Sequence, residues 1–182
     1  MITGIVLLRG INVGGHRKLP MAELRELLKS MGYEKVSTYI QSGNVLVQCN
    51  EKQWLSIAAS LKEAIDKKYG YDVPVVSRTL QEWVEILKHN PFINDQDDLT
   101  KLLVTILDDV PNSMNASDLE AHDYGNDQLK VLGSAVYIHC REGAGKTKIT
   151  NTVLEKKTES LRHHPKLEVD AETQRISCQF SS

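Results

Sequence analysis

The chain has 182 residues, 41% hydrophobic and 25% charged, with a net charge of −2, which is ordinary globular usage and enough for one large domain or two small ones. No stretch approaches the roughly 20 consecutive apolar residues that span a bilayer, so no membrane partner is expected. The charge is uneven: residues 1–80 hold eleven basic against seven acidic side chains, residues 81–127 two against eleven, and residues 128–182 nine against six. Strong nucleic-acid binders carry a larger basic excess, and Asp95, Asp97, Asp98, Asp108 and Asp109 in the acidic middle read as solvated loop residues.

The apolar run at residues 2–8 superficially resembles a secretory leader, but no basic segment precedes it and it ends at Arg9. Its β-branched content and the glycines that follow predict a buried first strand. Pro20 suits the first turn of a helix. Met21, Leu24, Leu27, Leu28 and Met31 recur at helical spacing, and Gly32 supplies the stop. Residues 36–40 and 45–47 read as two strands joined across Gln41, Ser42, Gly43 and Asn44, a turn-forming sequence.

Asn50 with Gln53 forms a capping-box-like start, and Trp54, Ile57, Ala58, Leu61 and Ile65 follow on one helical face. Residues 73–76 predict a further strand, with Pro74 placing it at an edge or on its first rung. The succession is β-α-β-β-α-β, the split βαβ, ferredoxin-like arrangement. It covers residues 1–78.

Thr79 with Glu82 offers a second capping box, Trp83, Ile86 and Leu87 an apolar face, and Asn90-Pro91 a stop. Residues 79–98 are thus a connecting helix and acidic loop. Residues 102–107 form a near-continuous apolar run typical of a central strand. A short helix over 117–121 and a hairpin, 129–132 with 135–140 through Gly133 and Ser134, come next. A last helix is expected over 148–157. Residues 99–158 thus repeat the plan less completely, and residues 159–182 form a divergent tail. The fold class is α+β, two ferredoxin-like subdomains with antiparallel sheets.

The three cysteines, Cys49, Cys140 and Cys178, lie far apart and show no CxxC or Cys/His ligand spacing. No disulfide framework, zinc site or other metal is expected, and a reducing, cytoplasmic location fits. His139 precedes Cys140 in a strand, where alternation sends neighbours to opposite faces.

The segment from Arg9 to Lys18 joins the first strand to the first helix. Gly10, Gly14 and Gly15 allow close backbone approach, so successive N–H groups could cup an anion. The helix N-terminus adds partial positive charge, with Arg9, Arg17 and Lys18 at hand. Arg9, Asn12, Gly14, Gly15 and Lys18 are the candidate ligand residues; the alternative is a flexible connection with solvated cations. The segment from Arg141 to Lys148 holds a Gly-Lys-Thr, but Cys140 stands where a Walker A loop needs its first glycine. Gly143, Gly145, Lys146 and Lys148 could still hold an anion before a helix, with Asn151 assisting from its first turn. Ser42 reads as a turn residue unless the fold brings it beside a glycine loop. An RNA-binding sheet of the base-stacking kind needs aromatics on its two central strands. Residues 2–8 and 45–49 carry none.

Several blocks together resemble the bacterial domain-of-unknown-function family 1697. They are Leu7-Leu8-Arg9-Gly10-Ile11-Asn12-Val13-Gly14-Gly15, Pro20-Met21-Ala22-Glu23-Leu24, and Thr38-Tyr39-Ile40-Gln41-Ser42-Gly43-Asn44-Val45, with further agreement at Tyr71-Asp72-Val73-Pro74-Val75, Asn90-Pro91-Phe92 and Lys148-Ile149-Thr150-Asn151. The resemblance implies a pair of ferredoxin-like subdomains and brings no reaction and no cofactor. One feature departs: the family's Arg-Asn-Trp-Asn-like motif after the last helix is missing, and no Trp follows Trp83.

Three functions fit these residues. The first is a module that binds a phosphate-bearing small molecule through the glycine-plus-basic loops. The second is an enzyme on a phosphorylated substrate, with His16 or Ser42 moving a proton. The third is a protein-interaction or self-association module; the sequence leaves the oligomeric state open.

Overall fold

A computed structural model describes residues 1–39, 43–93, 98–107, 109–150 and 153–154. The chain divides into two compact units, Met1–Trp83 and Val84–Ser182, and the fold is α+β with two antiparallel sheets.

In the first unit, β1 (Ile2–Leu8) is followed by α1 (Met21–Ser30), β2 (Glu34–Tyr39), β3 (Asn44–Cys49), α2 (Glu51–Tyr69) and β4 (Val75–Thr79). The sheet order is β2-β3-β1-β4, every neighbour antiparallel. Each helix therefore crosses over one intervening strand, the interleaved order that a split βαβ succession predicts. Val6, Leu8, Val45 and Val47 share one sheet face with Leu24, Leu28, Ile57, Leu61 and Ile65 in a single buried cluster. Burying each such side chain stabilises the unit by about 1.5–3 kcal/mol before chain entropy is charged against it.

Local signals set the helix ends. The Asn50 side chain accepts the Gln53 N–H at 2.9 Å, and the Gln53 side chain accepts the Asn50 N–H at 3.1 Å. Gly4, inside β1, is a seat for an aromatic ring. A Cβ there would lie 2.0 Å from the Trp54 Cη2, so only glycine lets the indole lie on the strand. Pro74 lies just before β4, and its carbonyl accepts the Arg9 N–H at 3.0 Å. The strand thus starts two residues later than its apolar run, at a sheet edge, because proline has no donor for the ladder.

Helix α3 (Leu80–Lys88) has its box too: the Thr79 Oγ1 accepts the Glu82 N–H and the Glu82 carboxylate accepts the Thr79 N–H. The second unit continues with β5 (Leu102–Ile106), α4 (Ser113–Glu120), β6 (Gln128–Leu132) and β7 (Ala135–His139), in sheet order β5-β7-β6. The apolar run at 102–107 is therefore an edge strand of its described sheet, and β7 is central. All five β5 residues are buried; an unbroken apolar run reports burial of both faces and carries no information about edges. Helix α4 begins four residues earlier than its apolar spacing suggests because the Asn112 side chain accepts the Asn115 N–H at 2.8 Å.

The last helix also differs in its start. Residues 148–150 are not helical; the Thr147 Oγ1 accepts the Ile149 N–H at 3.1 Å, and the Thr150 carbonyl accepts the N–H groups of Val153 and Leu154. A threonine side chain offers the backbone an alternative to the helical ladder. Asn151, the tail over 159–182 and Cys178 lie outside the described residues. No helix among the described residues is long and apolar enough to cross a membrane.

Candidate functional site

Where β1 ends, its pairing continues for one more step on each side. Leu8 donates its N–H to the Gly43 carbonyl at 3.3 Å, and Arg9 donates to Pro74. The chain then leaves the sheet. Asn12 donates its N–H to the Arg17 carbonyl at 3.2 Å, and His16 donates to Val13 at 3.0 Å, closing a small hairpin bridged at Val13 and His16. Its tip, Gly14-Gly15, has φ of +59° and +79°. Two consecutive positive φ values are what a two-residue hairpin turn matching strand twist requires, and glycine adopts them without strain.

The Asn12 side chain locks this hairpin to the helix entry. Its Oδ1 accepts the Leu19 N–H at 2.8 Å and its Nδ2 donates to the Leu19 carbonyl at 2.9 Å. Leu19 itself is fully buried, so the clamp ties an exposed loop to the core. Asn12 was expected among the ligand groups; in the structure both ends of its amide hold backbone. Helix α1 begins six residues after Gly15, and its N-cap position, Pro20, makes no side-chain cap. The glycine tip and the helix N-terminus are therefore separate features, joined through Arg17, Lys18 and Leu19.

Two arginines, Arg9 and Arg17, flank the hairpin. Arg17, itself at a positive φ of 46°, turns its guanidinium back across Gly10, with Nη1 3.3 Å from where a Cβ on that glycine would stand. Arg9 is half-buried, and burial first, then the charge of Arg17, holds its guanidinium below the usual arginine range. Lys18, Gly14, Gly15 and His16 are exposed. The Gly14 and Gly15 N–H groups have no hydrogen-bond partner among the described residues.

Gly43 is packed against the same base. A Cβ on it would meet Ile11 Cδ1 at 2.6 Å and Leu8 Cβ at 3.0 Å, at a φ of +87°. Gly43 thus comes beside the glycine loop. Ser42, its neighbour, lies outside the described residues.

The second candidate segment belongs to the other unit. Gly143 has a φ of +96° and donates its N–H to Cys140; Lys146 donates to Gly143, closing one short 3-10 turn over Ala144–Lys146. Arg141 is spent nearby, its N–H on Asp127 at 3.0 Å and its guanidinium on Gln128 at 3.4 Å. Gly145, Lys146 and Lys148 are exposed, with nothing within 4 Å of a Cβ built on Gly145. Since residues 148–150 are not helical, no helix N-terminus directly follows the Gly-Lys-Thr.

Two residues in the first unit escaped the sequence-based set. Arg17 was visible only as one of several basic residues; its fold back over Gly10 depends on the hairpin. Asn44 is 2% exposed at the start of β3, with no hydrogen-bond partner on either amide atom among the described residues. Its only sequence signal is a polar residue heading the apolar run Val45-Leu46-Val47. No group of three or more His, Cys, Asp or Glu among the described residues is arranged to hold a metal.

The comparisons with known proteins agree with this architecture. The chain belongs to the family described as Protein of unknown function (DUF1697), whose model matches residues 1–137. It is similar to the solved structure of the conserved bacterial protein SP0830 from Streptococcus pneumoniae, at 25% identity and a TM-score of 0.67, covering 98% of this chain and 97% of that one. No curated protein sequence matches.

Proposed function

We propose that this member of the DUF1697 family binds a phosphate-bearing anion at the loop between β1 and α1. The observation that carries the reading is the Arg17 guanidinium folded across Gly10, one residue after Arg9, on a hairpin held in place by the Asn12 clamp. Arginine offers planar, paired donors matched to phosphate oxygens. A pre-formed loop also spares the ligand the entropy of ordering it. Lys18 and the Gly14 and Gly15 N–H groups, unpaired among the described residues, add further donors nearby. The proposal is confined to the first unit.

A thermal-shift screen against inorganic phosphate, pyrophosphate, sugar phosphates and nucleotides at one salt concentration tests it. A ligand at a hundredfold excess over its Kd stabilises the folded state by about 2.7 kcal/mol, which such a screen resolves. The shift is expected in the native chain and lost in the Arg9→Ala, Arg17→Ala double variant. A shift that persists in the double variant, or none with any of these anions, overturns the reading.

A further inference from the structure

The outer edge of β6 is closed by a carboxylate. Among the described strands β6 pairs with β7 alone, in an unbroken antiparallel register from Gln128 opposite His139 to Leu132 opposite Ala135. In such a ladder alternate residues turn their N–H and C=O groups away from the partner strand. Val131 is one of them: its N–H donates to the Glu120 Oε1 at 2.8 Å and to no strand. Leu129, two residues earlier, therefore turns its backbone outward as well, and its N–H has no hydrogen-bond partner among the described residues.

A row of outward backbone groups is a template for an added strand. Nothing in the strand itself blunts this one, because β6 has no glycine, no proline and no break in register. At the edge of the first sheet, β2 is different. Its pairing shifts register between Glu34 and Ser37, with Lys35 at a φ of +46°. A bulge of that kind bends and twists an edge strand away from further pairing. In the second sheet the protection falls to side chains.

Glu120 is the last residue of α4. One carboxylate oxygen takes the Val131 N–H while the other takes the Lys130 Nζ at 2.7 Å. Burial pushes its carboxyl up, but the bonds from Lys130 and Val131 outweigh that and hold it below the usual carboxylate range, so it is charged at neutral pH. Lys130, exposed at the middle of the strand, supplies the second barrier. The antiparallel register in which two copies of β6 use both outward residues sets Leu129 opposite Val131 and Lys130 opposite its own counterpart. Like charges directly opposed on a sheet disfavour pairing. We infer that Glu120 and Lys130 together close this edge to a second copy of the chain: the carboxylate occupies the rung, and the ammonium repels the matching register.

Sedimentation equilibrium of the full chain over a wide concentration range tests this. The native mass is expected to stay constant with concentration, and that of the Glu120→Ala, Lys130→Thr double variant to rise toward twice that value. Freeing the rung should raise the association constant about tenfold, and removing the opposed charges about fivefold more. Glu120→Gln keeps an acceptor for Val131 and should keep the native mass. Val131→Pro, added to the double variant, removes the outward N–H without touching a bond to β7, and should restore the native mass. Hydrogen exchange gives a local reading: the Val131 amide should be better protected than the Leu129 amide in the native chain, and Leu129 should become protected as the double variant associates. A double variant that keeps native circular dichroism and native mass overturns the inference. So does association that survives Val131→Pro, or association of Glu120→Gln. If the double variant does not fold, the native exchange comparison decides, and equal protection at Val131 and Leu129 overturns the inference.

Discussion

The Arg9–Lys18 and Arg141–Lys148 segments look alike in sequence, each combining glycines with basic residues ahead of an expected helix, yet they are built differently. The first is a hairpin clamped to buried Leu19 by both ends of the Asn12 amide, with Arg17 folded across Gly10 and Gly43 packed beneath it. The second is one 3-10 turn closed by backbone bonds, with its glycines open to space. Composition makes a loop permissive; long-range contacts make it a scaffold that can hold charges together at low entropic cost.

That contrast can be broken by substitution. The largest effect belongs to Gly43→Ala, at the base of the first loop. It adds a Cβ 2.6 Å from Ile11 Cδ1, in a core position, at a φ of +87°. Overpacking and backbone strain together predict a loss of about 3 kcal/mol in urea unfolding. A loss below about 1 kcal/mol would show that the loop base is loosely packed.

Asn12→Ala removes both clamp bonds and leaves alanine at a φ of +56°. A loss of about 2 kcal/mol is expected, against about 1 kcal/mol for Thr147→Val in the second loop, which gives up one acceptor. Equal losses in the two variants would erase the distinction between scaffold and turn. Gly143→Ala, at a φ of +96° with nothing within 4 Å, should cost about 1 kcal/mol from backbone strain alone. Smallest of all is Gly145→Ala, in open space and at no positive φ. It should change stability by no more than about 0.5 kcal/mol, and a gain is the favoured sign, because alanine narrows the unfolded ensemble. A large loss there would reveal a packed role for the second loop.

The two units also share a plan that differs in completeness. Each pairs its first strand with its third, and the third with the second, antiparallel throughout. The first adds α2 and β4 along the far side of β1, which gives β1 two neighbours, whereas β5, its counterpart, has one among the described residues. The site lies at the end of the strand that acquired the second neighbour, since β4's entry at Pro74 is what anchors the Arg9 backbone.

By itself the sequence determined the elements and several of their ends. The boxes at Asn50–Gln53 and Thr79–Glu82, the Gly133–Ser134 hairpin and the edge placement of the Pro74 strand were all legible, because each depends on residues within a few positions of one another. The late start of the helical turn at Thr150 was harder to see, since it turns on the Thr147 side chain taking the Ile149 N–H. Tertiary structure alone decided that β5 pairs with β7 and that Asn44 stands across from Leu7, and it decided that Asn12 clamps Leu19 and that Arg17 crosses Gly10. The first two depend on register between strands far apart in sequence, where a shift of one residue would send every side chain to the opposite face of the sheet; the clamp and the crossing depend on how the loop hairpin closes over seven residues.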